Sequence, residues 1–162
     1  EMLNLPKILR KNPNVMFYWV GDGPYRDKIL SVLENFENFK WLGAMKYPDQ
    51  VREFLSEIDV YALISGIDMS PLTLLESQLM KKPVLASNVG GVPELMNNNL
   101  TGFLIEKGDI SQWNEKISLL INDDKLIKKM GESGRKFVEE KFSWKLIAKK
   151  FIDDIKYNLE LN

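Results

Sequence analysis

The sequence predicts a three-layer α/β domain, with a mostly parallel sheet of about five strands flanked by helices. Three observations predict it. Short runs of β-branched and aromatic residues alternate with helical stretches along residues 1–105. Short turns join strand to helix rather than strand to strand, which implies parallel pairing through helical crossovers. At 162 residues, with 44% hydrophobic and 28% charged residues, the chain has the size and composition of one soluble domain with its own core.

Residues 1–11 carry Met2, Leu3, Leu5, Ile8 and Leu9 in a helical pattern that Asn12-Pro13-Asn14 ends. Residues 15–20 (VMFYWV) form a continuous apolar run, the pattern of a strand covered on both faces. Gly21-Asp22-Gly23-Pro24 closes it, and Pro24 suits the first position of a helix reaching residue 34. Residues 39–42 form a second strand, stopped by Gly43. The helix over 48–57 has the apolar stripe Val51, Phe54, Leu55 and Ile58. A third strand over 60–64 runs into the loop GIDMSP and a helix over 71–80, with Ser70 as its cap and Pro71 as its first residue. Residues 84–87 make a fourth strand; Gly90-Gly91 precede a short helix over 93–96; residues 102–105 make a fifth, edge-like strand. From Asp109 onward the pattern is helical. Ser143 caps a last helix striped by Trp144, Ile147, Ala148, Phe151, Ile152, Ile155 and Leu159.

Several function classes fall away. A net charge of -1 supplies no basic field for nucleic acid. The chain has no Cys and no His, which removes disulfides, thiolate or imidazole metal cages, cysteine nucleophiles and histidine triads. No metal or resident cofactor is expected. No apolar run is long enough for a membrane span, and the opening residues do not read as a signal peptide. A cytoplasmic location is therefore expected. Lys145, Lys149, Lys150 and Lys156 beside Trp144 leave open a helix lying on the inner face of a membrane, although Asp153, Asp154 and Glu160 dilute its charge. The other reading of that stripe is packing on the domain's own sheet.

In parallel sheets ligands collect at the carboxyl ends of the strands. Three loops there are rich in glycine or polar residues: 21–24, 66–71 and 88–93. Each leads into a helix, whose free N–H groups and partial positive charge suit phosphate, and glycines permit close approach. The cluster points to a nucleotide or another phosphorylated ligand. Gly21, Gly23, Gly90 and Gly91 also make sense as turn formers alone. The dinucleotide fingerprint fails because Arg26 stands at its third glycine, and no Gly-Lys-Ser or Gly-Lys-Thr is present. A phospho-acceptor receiver module fails too, since Asp22 stands alone after its strand and Asp59 precedes one.

Two acids stand out. Glu76 falls on the second turn of its helix among Leu72, Leu74, Leu75 and Leu79, and its two acceptor oxygens could receive both hydroxyls of a ribose. Asp68, near the apex of the preceding loop, could then reach the group beyond a diphosphate. The plain alternatives are a solvated helix Glu and a loop Asp that caps local amides.

Residues 65–106 (SGIDMSPLTLLESQLMKKPVLASNVGGVPELMNNNLTGFLIE) resemble the signature of the family 4 glycosyltransferases of the glycosyltransferase-B fold. The pattern is an acid, seven positions, a Glu, then a Pro-led strand, Gly-Gly-x-Pro-Glu and Thr-Gly. The match extends to VGDGP, WLG and GESGRKFVEEKFSW, so nearly all of 1–162 is covered. The resemblance implies a Rossmann-like, C-terminal donor-binding domain of a retaining transferase that uses a nucleotide-diphosphate sugar without a metal. Glu76 would grip the ribose. Asp68 would stand where the family usually has Glu, near the donor sugar. The backbone of Met69, Ser70, Pro71, Leu72 and Thr73 would meet sugar and diphosphate. Gly21 and Gly23 would lie beside the donor, Gly43, Ala44 and Met45 would border the base, and Gly90 and Gly91 would shape the cleft less directly. The resemblance also implies partners: an N-terminal acceptor-binding domain, a first strand ending in Gly-Arg with a following Lys, and an acceptor of unspecified chemistry. The last helix would cross back toward that other domain. With those parts outside 1–162, the chain is expected to hold donor weakly and not to transfer sugar alone. The related alternatives are a nucleotide-sugar epimerase of the same fold and a non-catalytic nucleotide-binding module.

Overall fold

The computed structural model describes residues 2–160, with side-chain environments as far as residue 157. After one 3-10 turn (Met2–Asn4), helix α1 (Leu5–Lys11) buries Leu5, Ile8 and Leu9 on a single stripe. Asn12 ends it: its side-chain amide donates to the Ile8 carbonyl at 2.9 Å and to Asn114 Oδ1 at 2.8 Å. Strands β1 (Phe17–Val20) and β2 (Phe39–Gly43) pair in parallel across helix α2 (Arg26–Leu33). Helix α3 (Asp49–Glu57), strand β3 (Tyr61–Leu63), helix α4 (Leu72–Leu79), strand β4 (Val84–Ser87), a 3-10 turn (Val92–Leu95) and strand β5 (Gly102–Ile105) follow. Helices α5 (Ile110–Ile121), α6 (Asp124–Lys141) and α7 (Trp144–Glu160) complete the chain. Glu1, Leu161 and Asn162 lie outside the described residues.

Every ladder is parallel, as the alternating pattern predicts. Hydrogen bonds divide the strands into a pair, β1-β2, and a triple with β4 between β3 and β5. One core nevertheless serves both groups. Phe17 and Trp19 of β1, Phe39 of β2, Leu85 of β4, and Phe103 and Ile105 of β5 pack with α1 and with Trp113 and Ile117 of α5. Because side chains alternate along a strand, Val84 and Ala86 face the other way, onto Leu74 of α4 and Val92. The result is helix, sheet and helix in three layers.

Local differences from expectation have local causes. Strand β1 starts at Phe17, because the Val15 amide bonds back to the Asn12 carbonyl at 3.1 Å and completes a turn. It is not covered on both faces: Tyr18 is 48% exposed and meets Phe54 edge-on. Helix α2 starts at Arg26 rather than Pro24, since the Arg26 amide closes a turn on the Gly23 carbonyl at 3.0 Å. Strand β5 has one ladder partner, as an edge strand should, yet Phe103 and Ile105 are buried under the helices that follow.

Helix α7 corrects an expectation. Ser143 does cap it, its hydroxyl accepting from the Leu146 amide at 3.4 Å. The apolar stripe does not pack on the sheet, however: Trp144 is 85% and Phe151 65% exposed, and Ile147, Ile152 and Ile155 are exposed as well. The two buried clusters on the sheet are already covered by α1 and α5 on one side and α4 on the other, and no described residue of α7 belongs to either. The side chain of Leu159, the last residue of the expected stripe, lies outside the described ones.

Helix α6 approaches α4 through two glycines. A Cβ on Gly131 would lie 2.0 Å from the Lys81 carbonyl oxygen, and one on Gly134 would lie 3.2 Å from Gln78 Cγ. The backbone oxygen cannot swing aside as a side chain could. Gly131→Ala is therefore expected to cost about 1–3 kcal/mol through overpacking, which lowers the melting temperature by roughly 2–4 °C per kcal/mol for a domain of this size. A thermal melt checks this, and an unchanged midpoint would mean the helices separate freely.

Candidate functional site

The loop after β3 is held from three sides. The Ser65 amide donates to Ser87 Oγ at 3.2 Å, and the Ser65 hydroxyl donates to the Ile67 carbonyl at 2.8 Å. Lys107, beyond the end of β5, donates from Nζ to the Gly66 carbonyl at 3.0 Å. From the loop after β4, the Gly91 amide donates to the Asp68 carbonyl at 3.1 Å. Gly90 and Gly91 press directly on this loop: a Cβ at Gly90 would stand 2.0 Å from the Asp68 oxygen, and one at Gly91 would stand 2.0 Å from the Met69 oxygen. Gly90 also has φ +51, a left-handed conformation that suits glycine. Their influence on the Asp68 loop is thus immediate, by backbone against backbone.

Helix α4 begins later than its sequence suggests. Pro71 takes the cap position with φ -71 and ψ 103, and Leu72 opens the helix. Ser70 makes no cap, because Pro71 itself keeps extended backbone and moves the helix start one residue along, and no side chain caps this helix. The Leu74 amide closes the first turn on the Pro71 carbonyl at 3.0 Å. Leu74, Ser77 and Gln78 are buried, which leaves Leu72, 66% exposed, and half-buried Glu76 on the open face. The leucines around Glu76 therefore close only one side of it.

Two tyrosines, neither legible as a site residue in the sequence, join the acids. Tyr61 of β3 shares a hydrogen bond with Thr73 Oγ1 at 2.7 Å. Burial raises the pKa of its phenol; the bond to Thr73 opposes that rise, and the charges of Asp68 and then Glu76 add to it. Both carboxylates therefore bear on one hydroxyl. Tyr47, between β2 and α3, is 73% exposed. A hydrogen bond to Glu76 raises its phenol pKa, with the Glu76 charge and some burial adding to the effect. Tyr47, Val51, Leu55, Glu76, Leu79 and Met80 line a cavity of about 190 Å³ between α3 and α4. A larger hollow of about 490 Å³ lies beside the turn before β1, against α5, and holds none of the predicted residues.

The first two loops belong to the same end of the sheet. The Gly21 amide donates to the Gly43 carbonyl at 2.8 Å, and Trp41 Nε1 donates to the Gly21 carbonyl at 2.8 Å. Gly23 is held by the Asp22 side chain at 2.7 Å, and Arg26 pairs with Asp22 at 3.3 Å while lying over the Trp41 ring. Gly43, Ala44 and Met45 then lead to Tyr47 and so to Glu76. The structure brings Asp68, Glu76, Thr73, Gly90 and Gly91 into one cluster; Gly43, Ala44 and Met45 approach it along the chain through Tyr47, Gly21 bonds to Gly43, and Gly23 is held by Asp22. Among the described residues no Asp or Glu cluster has the makings of a metal site, and no helix is long and apolar enough to cross a membrane.

A family model described as "Glycosyl transferases group 1" matches residues 2–137. Over 154 residues the chain is 28% identical to the GDP-mannose-dependent monoacylated alpha-(1-6)-phosphatidylinositol monomannoside mannosyltransferase of Corynebacterium glutamicum, covering 90% of this chain and 40% of that one. A mutant of S. aureus TarM, in complex with fondaparinux, alpha-GlcNAc-glycerol and UDP, superposes with a TM-score of 0.78 at 28% identity, over 94% of this chain and 30% of that chain. The C-terminal domain of the group 1 family protein LpcC from Francisella tularensis shares the fold, with a TM-score of 0.76 at 20% identity over 88% of this chain and 77% of that one. The chain therefore spans well under half the length of the mannosyltransferase and TarM chains, and it matches a C-terminal domain.

Proposed function

The chain belongs to the glycosyl transferases group 1 family, and on that premise we propose that it is the donor-binding domain of a retaining transferase that takes a hexosyl group from a nucleotide-diphosphate sugar. The observation that carries the reading is that Gly90 and Gly91 hold the Asp68 loop, backbone against backbone, directly before the uncapped start of α4, the helix that bears Glu76. Glu76 accepts the ribose hydroxyls through its two oxygens. The opening amides of α4 and the backbone of 69–73 meet the diphosphate, with the helix dipole stabilising the charge that grows on it as its bond to the sugar breaks. Asp68, one methylene shorter than the family's usual Glu, faces the sugar. Gly43, Ala44 and Met45 border the base, and Gly21 and Gly23 lie beside the donor. The acceptor, held by a separate N-terminal domain, attacks the carbon that the diphosphate leaves, from the same face.

The divided sheet supports a second part of the reading. A Rossmann-type sheet places its first strand between the second and the fourth. Here β1 and β3 each pair on one side only, among the described residues, while sharing one core. We propose that a parallel strand from the rest of the enzyme lies between them and brings the Arg and Lys that the family uses against the diphosphate. The exposed stripe of α7 is read in the same way, as a face for the acceptor-binding domain.

Calorimetric titration with uridine, guanosine and adenosine diphosphates and their hexosyl derivatives tests the reading. The expected outcome is weak binding of one nucleotide series, unchanged by EDTA. Tight binding of a nicotinamide dinucleotide instead would falsify the donor-site assignment.

A further inference from the structure

Glu76 has a neighbour whose role the family assignment leaves unstated. It lines the cavity between α3 and α4, and Tyr47 lines the same cavity. The remaining wall is Pro48, Val51 and Leu55, with Leu79 and Met80 from the end of α4 and one cation, Arg52, whose guanidinium donates to Asp49 at 3.1 Å. A carboxylate beside such a wall has few polar partners to choose its rotamer. The Tyr47 hydroxyl is one of them, and it donates to Glu76. An ordinary phenol is protonated at neutral pH and so can donate to this carboxylate, whose hydrogen bond and charge raise the Tyr47 pKa further.

Resting on the assignment of Glu76 to the ribose, we propose that Tyr47 is a positioning residue: it holds one oxygen of the Glu76 carboxylate across the α3–α4 cavity so that the remaining acceptor sites are aimed at the 2′- and 3′-hydroxyls of the bound nucleotide. An ionised carboxylate offers about four lone-pair directions. One phenol and two ribose hydroxyls can therefore be accommodated together, and Tyr47 does not have to leave when the nucleotide arrives. The chain order favours this geometry, because Tyr47 follows directly on 43–45, the stretch read as the border of the base. The same short loop then contacts the base and steadies the residue that holds the sugar. Discrimination between ribose and a sugar lacking the hydroxyls is expected to depend on both residues, although only Glu76 touches the ribose.

The test uses the whole chain and whichever of uridine, guanosine and adenosine diphosphate binds best, with the next best beside it, each paired with its 2′,3′-dideoxy analogue. Dissociation constants are measured for wild type, Tyr47→Phe and Glu76→Ala, with melting curves to establish that each variant folds. Tyr47→Phe is expected to weaken the ribose nucleotide by about three- to tenfold, the worth of one ordinary net hydrogen bond at an exposed phenol, and to leave the dideoxy analogue unchanged. A merely structural role would weaken both forms alike and so overturn the proposal. Tighter ribose binding in Tyr47→Phe would also overturn it, showing that the phenol blocks Glu76 instead of aiming it. Glu76→Ala separates this idea from the one beneath it. If that variant still prefers ribose over dideoxyribose, or if neither nucleotide binds wild type, the donor-site reading itself fails. If the preference vanishes in Glu76→Ala but is intact in Tyr47→Phe, only the role of Tyr47 fails.

Discussion

Glu76→Ala is expected to weaken nucleoside-diphosphate binding by roughly 10- to 100-fold while moving the melting temperature little. The size follows from what the side chain offers. A carboxylate that accepts two hydroxyls makes two charge-assisted bonds, each contributing about 1.5–3 kcal/mol net when buried, and the partly open position of Glu76 on α4 brings the pair together down to about 1.4–2.8 kcal/mol. Stability is affected little because the buried contacts of α4 belong to Leu74, Ser77 and Gln78, not to this residue. Glu76→Gln makes the useful companion: it keeps the length and one acceptor, so an intermediate loss is expected. Calorimetry with the nucleotide that binds wild type, alongside thermal melts, gives both readings. An affinity unaltered in Glu76→Ala would remove this residue from the site even with the family assignment intact.

Gly91→Ala should be nearly as damaging, by a different route. The new methyl would stand 2.0 Å from the Met69 carbonyl oxygen and 3.1 Å from its carbon. Real contacts do not come that close, so one of the two backbones must move. The loop after β3 is the one with freedom to do so, because Ile67 and Met69 are exposed while Val92 is fully buried beside Gly91. Displacing that loop breaks the bond from the Gly91 amide to Asp68 and shifts both Asp68 and the start of α4. Overpacking costs about 1–3 kcal/mol in stability. Affinity is expected to fall by at least tenfold, since the backbone meant to meet the diphosphate no longer converges. The discriminating measurement is binding at a temperature where a melt shows the variant folded. Normal affinity there would mean that the loop tolerates the shift and that Gly90-Gly91 serve only their own turn.

Legibility in the sequence follows the range of the interactions involved. Alternating apolar runs made the parallel strands legible, since each strand and helix reports its own period. The acid-to-acid spacing in 68–76 made the candidate site legible, since those residues sit on one loop and the helix it feeds. Tyr61 could not be recognised, because its neighbours suggest only a buried strand residue; pairing with Thr73 depends on how β3 and α4 pack. Tyr47 could not be recognised either, for it reaches Glu76 across the gap between two helices that are far apart in the chain. Ser70 misled because Pro71, which suits the first helical position, is extended here and takes the cap position itself.

By itself the sequence determined the class of the fold, the order of its elements, the family resemblance and the pair of acids, all properties carried by short-range pattern. Only the tertiary structure decided that the strands divide into a pair and a triple over a shared core, that α7 turns its apolar stripe outward, that two glycines press on the Asp68 loop, and that Tyr47 and Glu76 line one cavity. These are contacts between segments remote in the chain, and such contacts are set by which surfaces remain uncovered once every element has formed.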